Sequence, residues 1–241
     1  MVEGEWNSFK QILGKRSSTM EDQIPLLQAR IMQEETQVQA KIKEIEHEWK
    51  ENRPKDASSR PEMATPQIKK SLNQLTLLGT LIKQTVEELG RVCKAKELLN
   101  MELTDAHYLD SLEEDYMNLM QVWQSIGEIW QTIEKIDQTP FQVYVHKTVK
   151  EALDIKQNEL REFPNRMRSY QIYEVYTEFL KAYKKVNDIL SDLRNDAMKP
   201  KHWKELLAKL KITVKFNDIT LHDMWCADLL GRQKAVNDVL T

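Results

Sequence analysis

The sequence predicts an all-α protein, built of long helices in elongated antiparallel bundles with at most a short extended segment near residues 212–216. Three observations predict it. Glycine and proline are scarce, 6 and 7 among 241 residues, while Asp, Glu, Lys and Arg make up 30%; sandwiches, barrels and doubly wound α/β folds use more turn-forming residues than this. Apolar residues recur at seven-residue or three-to-four-residue intervals through four long stretches, which is the period of a helix face. Alternation of period two, the mark of a half-buried strand, is almost absent.

The first helix is expected from near Met20 to about Glu51. Ser17, Ser18 and Thr19 offer N-cap oxygens, Glu21 and Asp22 suit a first turn, and Pro25 falls where regular hydrogen bonding would begin. Ile24, Ile31, Val38 and Ile45, with Met20, Leu27, Ile42 and Trp49, make its apolar stripe. Residues 51–66 are polar and carry Pro54, Pro61 and Pro66, so they read as a loop. Thr65 then caps a second helix with Pro66 at its first position. Ile68, Leu75, Ile82 and Leu89 interleave there with Leu72, Gly79, Val86 and Cys93 as a heptad pattern, which makes Gly79 a close-packing point rather than a break.

A connection is expected over residues 100–107. The third helix sets Leu109, Tyr116, Trp123 and Trp130 on one heptad register and Leu112, Leu119, Ile126 and Ile133 on the other, and Pro140 stops it. Residues 141–144 read as a linker. A shorter helix passes Val149, Leu153 and Leu160 to Phe163, and Pro164 separates it from a long one carrying Met167, Tyr170, Tyr173, Tyr176, Phe179, Tyr183, Val186, Leu190 and Leu193. Pro200 opens a short helix over Trp203, Leu206, Leu207 and Leu210. Residues 212–216 are the extended candidate, and Thr220 caps a helix through Leu221, Met224, Trp225, Leu229 and Leu230 that Gly231 ends. The apolar pattern resumes at Ala235, Val236, Val239 and Leu240, and a helix cut at Thr241 is expected to belong to a longer chain.

Catalytic chemistry finds no foothold. Gly14-Lys15-Arg16-Ser17 imitates a phosphate loop, but Phe9 stands where its first glycine belongs. His47-Glu48 lacks the second histidine of a zinc-protease helix, because residue 51 is Glu51. His107, His146, His202 and His222 have no metal spacing. Cys93 and Cys226 are too few for a disulfide framework and fit a reducing cytosol. No metal, cofactor or catalytic residue is therefore expected. No stretch suits a membrane span, and a formal charge of −3 gives no general reason to bind nucleic acid.

Two charge clusters stand out. Residues 101–121 contain Glu102, Asp105, Asp110, Glu113, Glu114 and Asp115 and no Lys or Arg. Residues 199–215 contain Lys199, Lys201, Lys204, Lys209, Lys211 and Lys215 against Glu205 alone. Solvated faces, mutual packing and docking of an outside partner are all open readings of them. Trp123 and Trp130 read as core anchors, and the tyrosines from Tyr170 to Tyr183 as core packing at helical spacing. Unaided, this pattern resembles a spectrin-like rod.

The C-terminal part is more specific. The run Met198-Lys199-Pro200-Lys201-His202-Trp203-Lys204-Glu205-Leu206-Leu207, followed by Leu221 to Trp225 within ITLHDMWCADLL, resembles the element at which dynein heavy chains pass from tail into linker. Glu5-Trp6 with Phe9, Arg60-Pro61-Glu62, and Glu162-Phe163-Pro164 leading to Arg166, Arg168 and Tyr170 are similar to the cytoplasmic branch of that family. Lys201, where the family usually has Arg, and the polar residues after Val214 are the departures. The resemblance implies a tail bundle over residues 1–198 and the opening of the linker over 199–241. It implies a non-catalytic, force-transmitting element of a minus-end-directed microtubule motor, cytoplasmic and associated with the cytoskeleton, whose ATPase modules, stalk and microtubule-binding domain would lie beyond Thr241. It also implies partners: neighbouring heavy-chain segments, a second heavy chain, and accessory chains, dynactin and adaptors through the wider tail. Pro200, His202, Trp203 and Trp225 would be structural anchors of the junction, with Trp123 and Trp130 in the bundle core and the six lysines a candidate docking surface. A free-standing scaffold protein is the competing reading.

Overall fold

The computed structural model describes residues 2–103, 107–194 and 198–232. Among them are eight α-helices: α1 (Val2–Asn52), α2 (Ala64–Leu98), α3 (His107–Asp137), α4 (His146–Arg161), α5 (Asn165–Arg168), α6 (Gln171–Leu193), α7 (Pro200–Leu210) and α8 (Leu221–Trp225). Two 3-10 turns, Pro61–Met63 and Phe216–Asp218, complete the set. No strand occurs among the described residues; an isolated bridge pairs Pro140 with Thr220. The all-α expectation holds, and residues 212–216 pair in no strand: they are irregular, with a bend at Val214 and an extended Lys215 before the 3-10 turn that begins at Phe216. Asp105 and the apolar pattern from Ala235 to Leu240, with the chain end at Thr241, lie outside the described residues.

Several boundaries differ from expectation. Helix α1 begins at Val2, not near Met20. The hydroxyls that read as caps are used inside the helix: Thr19 Oγ1 donates to the Lys15 carbonyl at 2.9 Å and Ser17 Oγ to the Glu21 carboxylate at 3.3 Å. A hydroxyl satisfied by the preceding turn no longer favours a helix start. Pro25 is interior to α1 and removes one hydrogen bond, and it stands on an exposed turn where water replaces that donor. The loop after α1 is shorter than expected, because a 3-10 turn from Pro61 runs directly into α2 at Ala64. Thr65 is therefore inside the helix rather than its cap, and Pro66 sits in the first turn where its missing N–H is not needed. Gln67 fastens the loop, donating to the Asp56 carbonyl and accepting from Ser58 N–H.

Two further helices are shorter than the pattern implies. A break at Ser169 and Tyr170 separates α5, which carries Met167, from α6. Helix α8 stops at Trp225 and does not reach Leu230, because Asp228 takes a left-handed conformation (φ 50°) and its Oδ1 accepts Gly231 N–H. At the end of α2, Asn100 (φ 50°) and a Met101 N–H bond to the Lys96 carbonyl form the left-handed helix stop for which asparagine is a substitute for glycine.

The chain divides into two compact units, residues 1–53 with 75–116, and residues 54–74 with 117–241. In the first, the second half of α1 runs antiparallel to α2, joined by Lys41–Glu88 (2.6 Å) and Glu35–Lys96 (2.8 Å). Val38, Ile42, Ile45 and Trp49 are buried there. The apolar stripe before them is not covered: Trp6, Phe9, Leu13, Met20 and Leu27 are all exposed. On α2 the register Ile68, Leu75, Ile82 and Leu89 is buried as expected. The partner register is not Leu72, Gly79, Val86 and Cys93 but Ser71, Leu78, Thr85 and Val92, one residue earlier. A helix touched from two sides buries a wider face than a two-helix seam, so Leu72, Val86 and Cys93 become half-buried flanks. Gly79 is a close-packing point as expected: a Cβ there would overlap the Tyr116 hydroxyl and ring.

In the second unit α4 lies antiparallel against α6, with Lys184–Asp154 (2.5 Å) and Lys150–Asp188 (3.2 Å) on its flank. Trp123, Trp130, Tyr176, Phe179 and Tyr183 form an aromatic core with Leu153, Leu180 and Leu190. Tyr170 and Tyr173 are only half-buried, so the tyrosine run packs from Tyr176 onward.

Candidate functional site

The residues singled out by sequence fall in the second unit, around the helices that follow residue 198. Pro200 is the first residue of α7, and Lys199 before it is extended (ψ 160°), as a residue preceding proline must be. His202 is half-buried, and its Nδ1 accepts Lys199 N–H at 3.3 Å. It thus closes the start of α7 as an acceptor. Trp203 is buried between Phe141 (ring centroids 5.3 Å, edge-on) and Phe216 (5.1 Å). Trp225 is buried and stacks on Tyr183 at 4.3 Å, and its indole N–H has no partner among the described residues.

The bundle tryptophans are buried as expected. Trp123 is fully enclosed and donates Nε1 to the Pro54 carbonyl at 2.9 Å. Trp130 meets Tyr176 edge-on at 5.0 Å and lies against Phe179 and Tyr183.

Residues that sequence reasoning missed tie this corner together. Residues 141–144, read as a linker, bring Phe141 and Tyr144 into the core, stacked on each other at 5.7 Å. Phe141 N–H donates to the Ile219 carbonyl (2.8 Å) and Leu221 N–H to the Thr139 carbonyl (3.0 Å), which fastens the start of α8 to the end of α3. Arg194, just past α6, donates to the Gln142 and Tyr144 carbonyls and lies over the Tyr144 ring. The spacing of Phe141 and Tyr144, three residues apart, was the only signal for their common face; nothing in the sequence pairs Arg194 with them.

Between α7 and the 3-10 turn lies an open cleft of about 570 Å³, lined by Met198, Pro200, Trp203, Leu207, Ile212, Val214 and Phe216, with Lys204 and Lys215 at its edge. Lys199, Lys201, Lys209 and Lys211 are exposed but do not line it, and Lys209 pairs with Glu205 at 3.0 Å. The lysines are therefore not gathered into one pocket. Of the acidic run, Asp115 is engaged inside its own unit, accepting from Trp49 Nε1 (2.9 Å) and Arg53 Nη1 (2.5 Å).

In α8, His222 Nδ1 is 3.0 Å from Asp137 Oδ2 at the end of α3. The Asp137 carboxylate first, and then the Cys226 sulfur, stabilise the imidazolium and raise the His222 pKa to about 10. Because the folded value lies above the unfolded value near 6.5, this contribution is complete below about pH 6.5 and fades as pH rises through about 10. The difference in melting temperature between the protein and its His222→Gln variant should therefore shrink steadily from pH 6 to pH 10.5; a difference that grows with pH would contradict the pairing.

Among the described residues no group of three or more His, Cys, Asp or Glu side chains is arranged to hold a metal ion, and no helix is long and apolar enough to cross a membrane. Fold and site together define a helical-bundle element whose specific residues brace a corner between helices. Residues 109–241 match the family described as dynein heavy chain, N-terminal region 2. The whole chain is 34% identical to the cytoplasmic dynein heavy chain of Paramecium tetraurelia and 31% identical to that of Dictyostelium discoideum; about 99% of it aligns at 27% identity with that of Drosophila melanogaster. It spans about 5% of the length of each of these relatives. The chain belongs to the dynein heavy chain family. The matched region is an N-terminal one, which sets aside the reading of a free-standing spectrin-like scaffold.

Proposed function

We propose that this chain is a non-catalytic, force-transmitting element, in which residues 1–198 belong to the tail and residues 199–241 open the linker toward an ATP-hydrolysing, minus-end-directed microtubule motor. The observation that carries this reading is the bracing of α7: Trp203 is held between Phe141 and Phe216, and the neighbouring chain is tied by the Thr139–Leu221 and Phe141–Ile219 hydrogen bonds. Aromatic contacts and paired backbone groups resist bending at a corner, and a stiff corner passes displacement on. The element needs no cofactor of its own for this work. It would act in the cytoplasm, on microtubules only through the rest of the motor.

Its partners follow from its surface. The apolar stripe of α1 continues without a break in period from the covered Val38–Trp49 stretch to the exposed Trp6–Leu27 stretch, and a heavy-chain helical segment outside these residues is the proposed cover. A second heavy chain, accessory chains, dynactin and adaptors belong to the wider tail, with the lysines of residues 199–215 as a candidate docking surface.

The test is Trp203→Ala in the full-length motor. ATP hydrolysis should stay within about twofold, since no ring residue is touched, while the velocity or stall force of a dimer in an optical trap should fall. Unchanged force and velocity with a folded variant would show that Trp203 does not brace the junction.

A further inference from the structure

The His222–Asp137 pair has a third member. Cys226, one helical turn after His222, is exposed, and its Sγ lies 3.8 Å from His222 Nε2 on the side of the ring opposite Asp137. Carboxylate, imidazole and thiol thus stand in line, the order in which a nucleophilic sulfur is activated.

The arrangement is held from several directions. Helix α8 starts with a reciprocal cap, in which Thr220 N–H and Oγ1 donate to Asp223 Oδ2 (2.9 and 3.0 Å). Leu221 N–H, bound to the Thr139 carbonyl, sets α8 against the end of α3, where Asp137 sits, and Cys226 N–H bonds to the His222 carbonyl at 3.0 Å. Trp225, stacked on Tyr183, fixes the rotation of the helix between the two.

We propose that Cys226, His222 and Asp137 form a thiol-modification site that reacts with small disulfides of the oxidised-glutathione class. His222 already carries its second ring proton below about pH 10, so the Cys226 thiol gives its proton to solvent, and the sulfur attacks one sulfur of the disulfide. A new S–S bond forms to Cys226 and the old S–S bond breaks. The departing sulfur leaves with the electron pair and takes up the proton to become a thiol. Cys226 is oxidised to a mixed disulfide and the departing half is reduced, with no further oxidant required. Asp137 holds the imidazole in place and favours its cationic form, and the ring, 3.8 Å from the sulfur, can hand a proton to the departing sulfur and regain one from solvent. The other titratable groups acting at this corner are the Tyr183 hydroxyl from α6 and Glu62 from the first 3-10 turn, which acts on the same Tyr183, while Asp223 and Asp228 on the Cys226 segment are turned to Thr220 and Gly231.

The experiment treats the full-length chain with oxidised glutathione from pH 6 to pH 9 and reads modification by mass spectrometry of the tryptic peptide 216–232, in which Cys226 is the only cysteine. An ordinary thiol is only about 1% thiolate at pH 6.5, so N-acetylcysteine serves as the reference. Cys226 should react at least about tenfold faster than this reference at pH 6.5. His222→Gln should bring the rate down to that of the reference, and Asp137→Asn should lie between the two. Circular dichroism checks the fold of each variant; if Asp137→Asn unfolds, His222→Gln alone decides. A Cys226 rate equal to the reference, or a fast rate that His222→Gln leaves unchanged, overturns the proposal.

Discussion

Trp130→Ala is expected to destabilise the second unit by about 3 to 5 kcal/mol, the usual range for deleting a large aromatic side chain from a core. Trp130 touches Tyr176, Phe179 and Tyr183 at ring separations of 5.0 to 6.0 Å, so its removal opens a cavity bounded by three further rings. Those rings are anchored on their far sides, Tyr183 by Trp225 and Tyr176 by a hydrogen bond from its hydroxyl to the Ala64 carbonyl, and they cannot all collapse into the space. Trp123→Ala falls in the same range for a different reason: besides the cavity, it leaves the Pro54 carbonyl without its indole donor. Denaturant melts followed by near-ultraviolet circular dichroism measure both. A loss below about 1 kcal/mol for Trp130→Ala would mean that the aromatic cluster is not the core of this unit.

Gly79→Ala should destabilise the first unit by about 1 to 3 kcal/mol, although alanine is the better helix former by about 1 kcal/mol. The added methyl would occupy the place of the Tyr116 hydroxyl and ring, and Tyr116 is itself held edge-on against Trp49 at 6.1 Å. The decisive measurement is a double-mutant cycle. In a Tyr116→Leu background the obstructing ring is gone, and Gly79→Ala should become stabilising by up to about 1 kcal/mol through helix propensity alone. A cycle in which Gly79→Ala has the same sign in both backgrounds would show that α2 and α3 do not meet through this glycine.

Sequence periodicity and tertiary packing contribute differently to these two expectations. The heptad spacing of Trp123 and Trp130 with Ile126 and Ile133 made their burial legible, because it gathers large apolar side chains on one face, which gains most from being covered. For Gly79 the sequence showed that a small residue sits on an apolar face, while the partner that requires it, Tyr116, lies on another helix and leaves no local mark. The same distinction explains α1. Its helical period was readable, yet the start was misplaced because Ser17 and Thr19 can serve either a cap or the interior of a turn, and only the surrounding chain decides which.

By itself, then, the sequence determined an all-α chain, most of its helices, the tryptophan core and the family, since these rest on local period, on proline and on runs of residues read in order. The tertiary structure alone decided which register accompanies Ile68, Leu75, Ile82 and Leu89 in the buried face of α2, how Phe141, Tyr144 and Arg194 brace the corner before α7, and that Asp137, His222 and Cys226 come together. These arrangements join residues as much as 85 positions apart. Their energies come from the geometry of meeting surfaces, and such geometry has no counterpart in the spacing of residues along one helix.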